Sequence, residues 1–196
     1  MNRISCPWCL GDPLLRAYHD EEWGVRQVHD DRTQFEFLTL EAMQCGLSWM
    51  TVLRKRESMR AAFDNFDPEK IALYDEEKQR SLLEFPGIIH SAPKIRATVS
   101  NAKLFLDIQR EFGSFDRWFW SFTDGKTRLY PENQSQMPAQ NALSRKISAA
   151  LKQRGFRYLG PVVLYSHMQA VGMVNDHTPD CFAYPLLGGE ITPSEP

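Results

Sequence analysis

Cys6 and His19 stand near the start of the chain and His177 and Cys181 near its close, with almost all of a 196-residue sequence between the two pairs. Thiolate and neutral imidazole suit Zn²⁺, and two Cys with two His is a common closed, four-coordinate structural set. In a zinc finger both ligand pairs lie within roughly thirty residues. Here one ion would close a loop of nearly the whole chain and tie both ends to a single body. On spacing alone this reading has an equal competitor, because free Cys is among the most buried residue types and a His near a terminus is usually solvated. Cys9 adds a third option. Cys6 and Cys9 form a C-x-x-C that suits a local knuckle or a redox pair. Cys45 lies alone in an apolar stretch and reads as core.

The length allows one domain with a real core, or two small lobes around a cleft. An apolar fraction of 42% with 24% charged residues is that of an ordinary soluble globule. No stretch approaches the roughly twenty apolar residues of a membrane span, and the start Met1-Asn2-Arg3-Ile4-Ser5 lacks the apolar core of a secretory signal. The expectation is a cytoplasmic protein that makes no membrane contact, where cysteines serve metals or stay as thiols. A net charge of −2 excludes a generally basic surface. Two local basic clusters remain. Arg54, Lys55, Arg56 and Arg60 share one helical stretch, and Arg145, Lys146, Lys152, Arg154 and Arg157 have no acid between them. Such a face is usually just solvated, so the clusters only admit nucleic acid as a partner.

Helical punctuation dominates the chain. Asp31 with Gln34 reads as a capping box, and Gly46 as the stop of that helix; Ser48 caps the next, through Met50 to Phe63. Asp67-Pro68 places an N-cap before a proline at the first helical position. Asp75 opens a short helix that the Pro86-Gly87 pair stops. A hairpin over about 86–94 follows, and Lys94 to Phe112 is the longest periodic run, ended by Gly113. Phe115, Trp118, Phe119 and Phe122 form a short aromatic helix, and residues 124–141 are irregular, with room for a turn of strand. Ser144 to Arg154 is amphipathic, and Gly160-Pro161 starts a last apolar helix through Val174. Alternation of strand type is nearly absent. The expected class is mainly α, two helical lobes within a single domain over 1–196.

Several ordered blocks carry a resemblance. They are Asp12-Pro13-Leu14 with Tyr18-His19-Asp20 and Glu22-Trp23-Gly24-Val25; Leu40-Glu41 with Gln44 and Gly46-Leu47-Ser48-Trp49; Thr51-Val52-Leu53 with Lys55-Arg56; Ala150-Leu151-Lys152 with Arg154-Gly155-Phe156; and Val174-Asn175-Asp176-His177. With these, the chain from Cys6 to Cys181 resembles the DNA-3-methyladenine glycosylase I family. The resemblance implies a helix-hairpin-helix glycosylase fold whose zinc clasp, from residues 6–19 and 177–181, joins the termini. It places the one structural Zn²⁺ on Cys6, His19, His177 and Cys181, and leaves Cys9 without a role. It implies flipping of 3-methyladenine out of alkylated double-stranded DNA and hydrolysis of its N-glycosidic bond, with free 3-methyladenine as product. Flipping is needed because the target atom of a stacked base is out of reach. The implied catalytic and base-binding residues are Tyr18, Glu41 and Trp49, with Trp49 stacking on the base, Tyr18 facing it and Glu41 accepting from its edge. A cationic base suits an indole face, an attraction of about 2 kcal/mol when desolvated.

The resemblance also points to the hairpin for DNA contact, through Gly87, Ile88 and Lys94. There the chain departs from its relatives, because His90-Ser91-Ala92-Pro93 replaces a segment that is usually basic, which predicts a shallower salt dependence. Asp107 lies near the position where many helix-hairpin-helix glycosylases hold a catalytic aspartate. Its place within a helix reads as an exposed acid, and it is left outside the site. The expected enzyme is a monomeric, monofunctional glycosylase. The alternative is a non-catalytic alkyl-lesion-binding protein of the same fold. A zinc-dependent hydrolase fails on ligand count, since four protein ligands leave no position for water.

Overall fold

The computed structural model describes residues 3–134 and 137–192. Ten α-helices account for most of the ordered backbone among these residues: α1 Pro13–Glu21, α2 Asp31–Gln44, α3 Trp49–Ala62, α4 Pro68–Ile71, α5 Glu76–Leu82, α6 Ala92–Phe112, α7 Phe115–Trp120, α8 Ala142–Gln153, α9 Pro161–Ala170 and α10 Ala183–Leu187. Asp12, Ser48, Asp67 and Asp75 cap α1, α3, α4 and α5 through their side chains. Among the described residues no helix is long and apolar enough to cross a membrane.

Helix α2 organises the molecule. Ten of its residues are buried, polar Gln34, Glu36, Thr39 and Glu41 among them, because it packs against α3 and α6 on one side and α9 on the other. Helix α4 packs on α6 and α8 on α9, while α1 packs on α3. One core of buried side chains runs from Cys6 to Ala183.

Some sequence expectations shift. The N-cap of α2 is Asp30, which takes the Thr33 amide at 2.8 Å; Asp31 lies inside the helix and caps α7 instead, accepting from the Phe115 and Asp116 amides at 2.9 and 2.7 Å. Two adjacent aspartates offer the same local signal, and only packing decides which turns inward. Helix α9 ends at Ala170 rather than running to Val174, and α10 follows it. Val174–Asn175 (β2) joins Arg128–Leu129 (β1) and Glu190–Ile191 (β3) in a parallel sheet ordered β2-β1-β3. Strands of two residues carry no alternation to read. β1 lies within the irregular stretch 124–141, of which 135–136 fall outside the described residues.

Candidate active site and metal centre

The four terminal ligands converge. Cys6 Sγ and Cys181 Sγ each lie 3.5 Å from His177 Nδ1, and Cys181 Sγ lies 3.6 Å from His19 Nε2. All four residues are buried. Zinc bonds of about 2.3 Å to sulfur and about 2.1 Å to nitrogen, at a tetrahedral angle, set ligands about 3.6 Å apart. The spacing therefore fits one ion. Outer partners fix which nitrogen faces inward: His19 Nδ1 donates to Asp20 Oδ1 at 2.7 Å, and His177 Nε2 donates to the Gly24 carbonyl at 3.1 Å. Burial pushes the Cys6 thiol up to about 12 and the His177 imidazole down to about 4, so a divalent cation is what would hold the thiols deprotonated. With four protein ligands the site is structural. Cys9 stays outside it, its thiol donating to the Cys6 carbonyl at 3.0 Å.

A cavity of about 410 Å³ lies beside this clasp, between α1, α2, α3 and α9. The sequence-predicted trio meets in it. Tyr18 comes from α1, Glu41 from α2 and Trp49 from the first turn of α3, where Ser48 fixes the chain direction by capping. The Tyr18 and Trp49 rings sit 5.3 Å apart with planes inclined at 56°. Tyr18 is 3% exposed and Glu41 4%. Burial pushes Glu41 up to about 8, and burial, then the Glu41 charge, pushes Tyr18 well above its ordinary value. Tyr18 Oη, Glu41 Oε2 and Trp49 Nε1 are all buried without a hydrogen-bond partner. Native interiors rarely leave polar atoms unpaired. Three of them around one cavity provide two donors and an acceptor for a planar polar ligand.

The three helices are tied by one buried cation. Arg56 of α3 reaches Glu36 of α2 at 2.6 Å and Glu22, the C-cap of α1, at 2.7 Å. That bracing sets the spacing of the trio. The rest of the first basic cluster is largely paired with protein groups nearer the surface: Arg60 pairs with Glu36 and Glu57, and Lys55 donates to the Gly87 and Ile88 carbonyls at 3.2 and 3.0 Å. In the second cluster Arg154 is held by Glu111.

Sequence reading did not assign Trp8, Trp23, Gln44, Met137, Ser166 or Gln169, which complete the cavity wall. Ser166 and Gln169, polar residues three apart on a helix that is otherwise apolar but for His167, are a signal that could have been read. Trp8 and Trp23 also pack on His19, with ring centroids 5.4 and 5.8 Å away, so the clasp holds two walls of the pocket. A second cavity of about 400 Å³ shares Glu41, Gln44 and Ser166 and continues outward to the exposed Leu47 and Val162.

At the hairpin, Gly87 takes φ of +82°, and a Cβ there would lie 2.5 Å from Ser58 Oγ. Only glycine fits both the backbone and the space. Ile88 is buried in the core. Lys94 Nζ donates to the Met43 and Cys45 carbonyls at the end of α2, leaving one of its protons free. Asp107 pairs with Arg110 on the exposed face of α6, away from the cavity.

The methyladenine glycosylase family model matches residues 8–184. DNA-3-methyladenine glycosylase 1 of Escherichia coli (strain K12) is 42% identical over 92% of this chain and 96% of its own. DNA-3-methyladenine glycosylase of Haemophilus influenzae is 39% identical over 90% and 95%. A crystal structure of 3-methyladenine DNA glycosylase I superimposes with a TM-score of 0.87 at 44% identity, over 93% of this chain and 100% of that one. The fold, the clasp and these likenesses agree, and the chain belongs to the methyladenine glycosylase family.

Proposed function

We propose that this protein is a base-excision repair glycosylase that flips 3-methyladenine out of alkylated DNA into the Tyr18–Glu41–Trp49 cavity and hydrolyses its N-glycosidic bond. The observation that carries the reading is the set of three unpartnered buried polar atoms around a cavity of about 410 Å³, in a member of this family. Methylation at N3 leaves the nucleotide base cationic. The Trp49 face attracts it through the ring quadrupole, Tyr18 lines the cavity beside Trp49, and Glu41 gives up its proton to solvent to become the counter-charge in a low-dielectric site. A cationic purine is already a good leaving group, so binding and orientation supply most of what the reaction needs. Asp107 takes no part.

Duplex DNA is the proposed partner at the hairpin. Among the described residues the amides of Gly87, Ile89 and His90 donate to no protein acceptor, and they precede α6, whose N-cap Ser91 makes no side-chain cap. Such a run of amides at a helix start suits a phosphate. Lys94 has one proton left for the same strand. We further propose that the enzyme is a single domain over 1–196 that acts as a monomer in the cytoplasm.

The test is incubation of purified protein with methylated duplex DNA under single-turnover conditions and identification of the released base. Release of free 3-methyladenine is expected. Tight lesion binding with no release would make it a non-catalytic lesion-binding protein.

A further inference from the structure

Gln169 faces the same cavity from α9, opposite the trio, and its orientation is not free. Its Nε2 donates to Asp176 Oδ2 at 2.7 Å and to Met137 Sδ at 2.9 Å. Asp176 is itself held by neutral donors: Tyr165 Oη meets Oδ2 at 2.7 Å, and Asn133 Nδ2 meets Oδ1 at 2.8 Å. No Lys or Arg among the described residues pairs with it.

Tyr165 Oη accepts from Asn133 Nδ2 at 2.8 Å and so turns its own proton to Asp176 Oδ2; that oxygen is an acceptor, and the end of the Gln169 amide turned to it is the NH₂. Both amide protons are then in use. The remaining pole, Oε1, has no partner among the described residues and is not fully enclosed, although the residue is only 6% exposed. Gln169 lines the cavity, and Oε1 is its one uncommitted polar atom. A neutral amide could offer a ligand either a donor or an acceptor; this one offers an acceptor only, because Asp176 has chosen its direction.

We infer that Gln169 is a specificity-determining residue that presents a fixed hydrogen-bond acceptor to the exocyclic amine of the flipped base, and that Asp176 is the positioning residue that sets its direction. The inference rests on the base-excision reading above. Adenine-type lesions carry an amino group at position 6 that donates. Their 6-oxo counterparts place an acceptor there, which would face Oε1 without a proton between them. A site with a fixed acceptor separates the two as no apolar wall can, since the mismatched ligand leaves desolvated polar atoms unpaired.

The experiment compares binding of 3-methyladenine with that of 3-methylhypoxanthine, its 6-oxo counterpart, by calorimetry in the parental protein and in two variants. Gln169→Met keeps the length of the side chain but has no acceptor oxygen. It is expected to weaken 3-methyladenine binding by about tenfold while changing 3-methylhypoxanthine by less than twofold. Asp176→Asn keeps shape but lets the Gln169 amide turn round, so it is expected to narrow the ratio between the two ligands by raising affinity for the 6-oxo base. Circular dichroism and zinc content, unchanged in both, control for folding, and Gln169→Met decides alone if Asp176→Asn does not fold. Equal loss of both ligands, or an unchanged ratio in folded variants, would make Gln169 a wall residue and overturn the inference. A parental protein that binds 3-methyladenine and releases it from methylated DNA, yet shows no preference over the 6-oxo base, overturns it as well while leaving the excision reading intact. If the parental protein does neither, both fall together.

Discussion

Glu41 shows how burial turns an acid into a conditional charge. Its carboxyl, raised to about 8 by burial, is mostly protonated in the empty pocket at neutral pH, and on the proposed function a cationic base would draw out the anion. Excision of 3-methyladenine should therefore accelerate as pH rises toward about 8. Glu41→Gln should flatten that profile and slow excision more than tenfold, a barrier change above roughly 1.4 kcal/mol. The same shift bears on stability, with a definite sign. Between the ordinary carboxyl value and about 8 the folded state holds a proton that the unfolded state has lost, so stability falls with rising pH by up to ~1.4 kcal/mol per unit. Glu41→Gln removes this dependence. Thermal melts should show the variant more stable than the parent at pH 8 and equal to it near pH 4; identical melts at pH 8 would mean the carboxyl is not buried as described. Trp49→Ala should weaken free-base binding by roughly 1–3 kcal/mol, the usual worth of a base–aromatic stack, with undamaged duplex bound as before.

Between elements, two contacts set the pocket's dimensions. Arg56 ties α1, α2 and α3 through Glu22 and Glu36. Removing a buried cation strands its carboxylates, so Arg56→Met should lower stability by about 3 kcal/mol in denaturant titrations and weaken base binding as the trio separates. The hairpin depends on Gly87, which packs on Ser58 at a positive φ. Gly87→Ala adds both left-handed strain, about 1–2 kcal/mol, and a steric clash with α3. It should lower the melting temperature and, if the hairpin amides meet phosphate as proposed, weaken binding to all duplexes alike. A loss confined to lesion-bearing DNA would place the hairpin in the pocket instead. Lys94 joins the same elements, anchoring the end of α2 from the start of α6.

At the scale of the whole molecule the clasp decides how the ends are held. Cys6 and His177 lie 171 positions apart in sequence and meet at 3.5 Å; the nearby Phe182 amide donates to the Ile4 carbonyl at 2.9 Å. Zinc is expected at one per chain. By analogy with a covalent crosslink closing a long loop, the metal contributes about 5 kcal/mol, so chelation should lower the melting temperature by roughly 15 °C. Cys181→Ala should bind no zinc and melt with the chelated parent. Full zinc content in that variant would remove Cys181 from the ligand set. Because Trp8 and Trp23 pack on His19, chelation should also reduce base binding.

Local chemistry alone announced most helices, since a capping aspartate or serine and a stopping glycine act within a few residues of themselves: Ser48, Asp67 and Asp75 cap where the sequence placed them. The blocks around Tyr18, Glu41 and Trp49 named the trio through a resemblance, and the fold brings all three to one cavity. What sequence could not decide depends on distant partners. Which of Asp30 and Asp31 caps α2, how Lys55 and Arg56 find protein acceptors, and where two-residue strands pair are all set by segments far along the chain. The direction of the Gln169 amide is the clearest case, because an amide is polar at both ends and only the carboxylate of Asp176, brought beside it by the turn after α9, tells the ends apart.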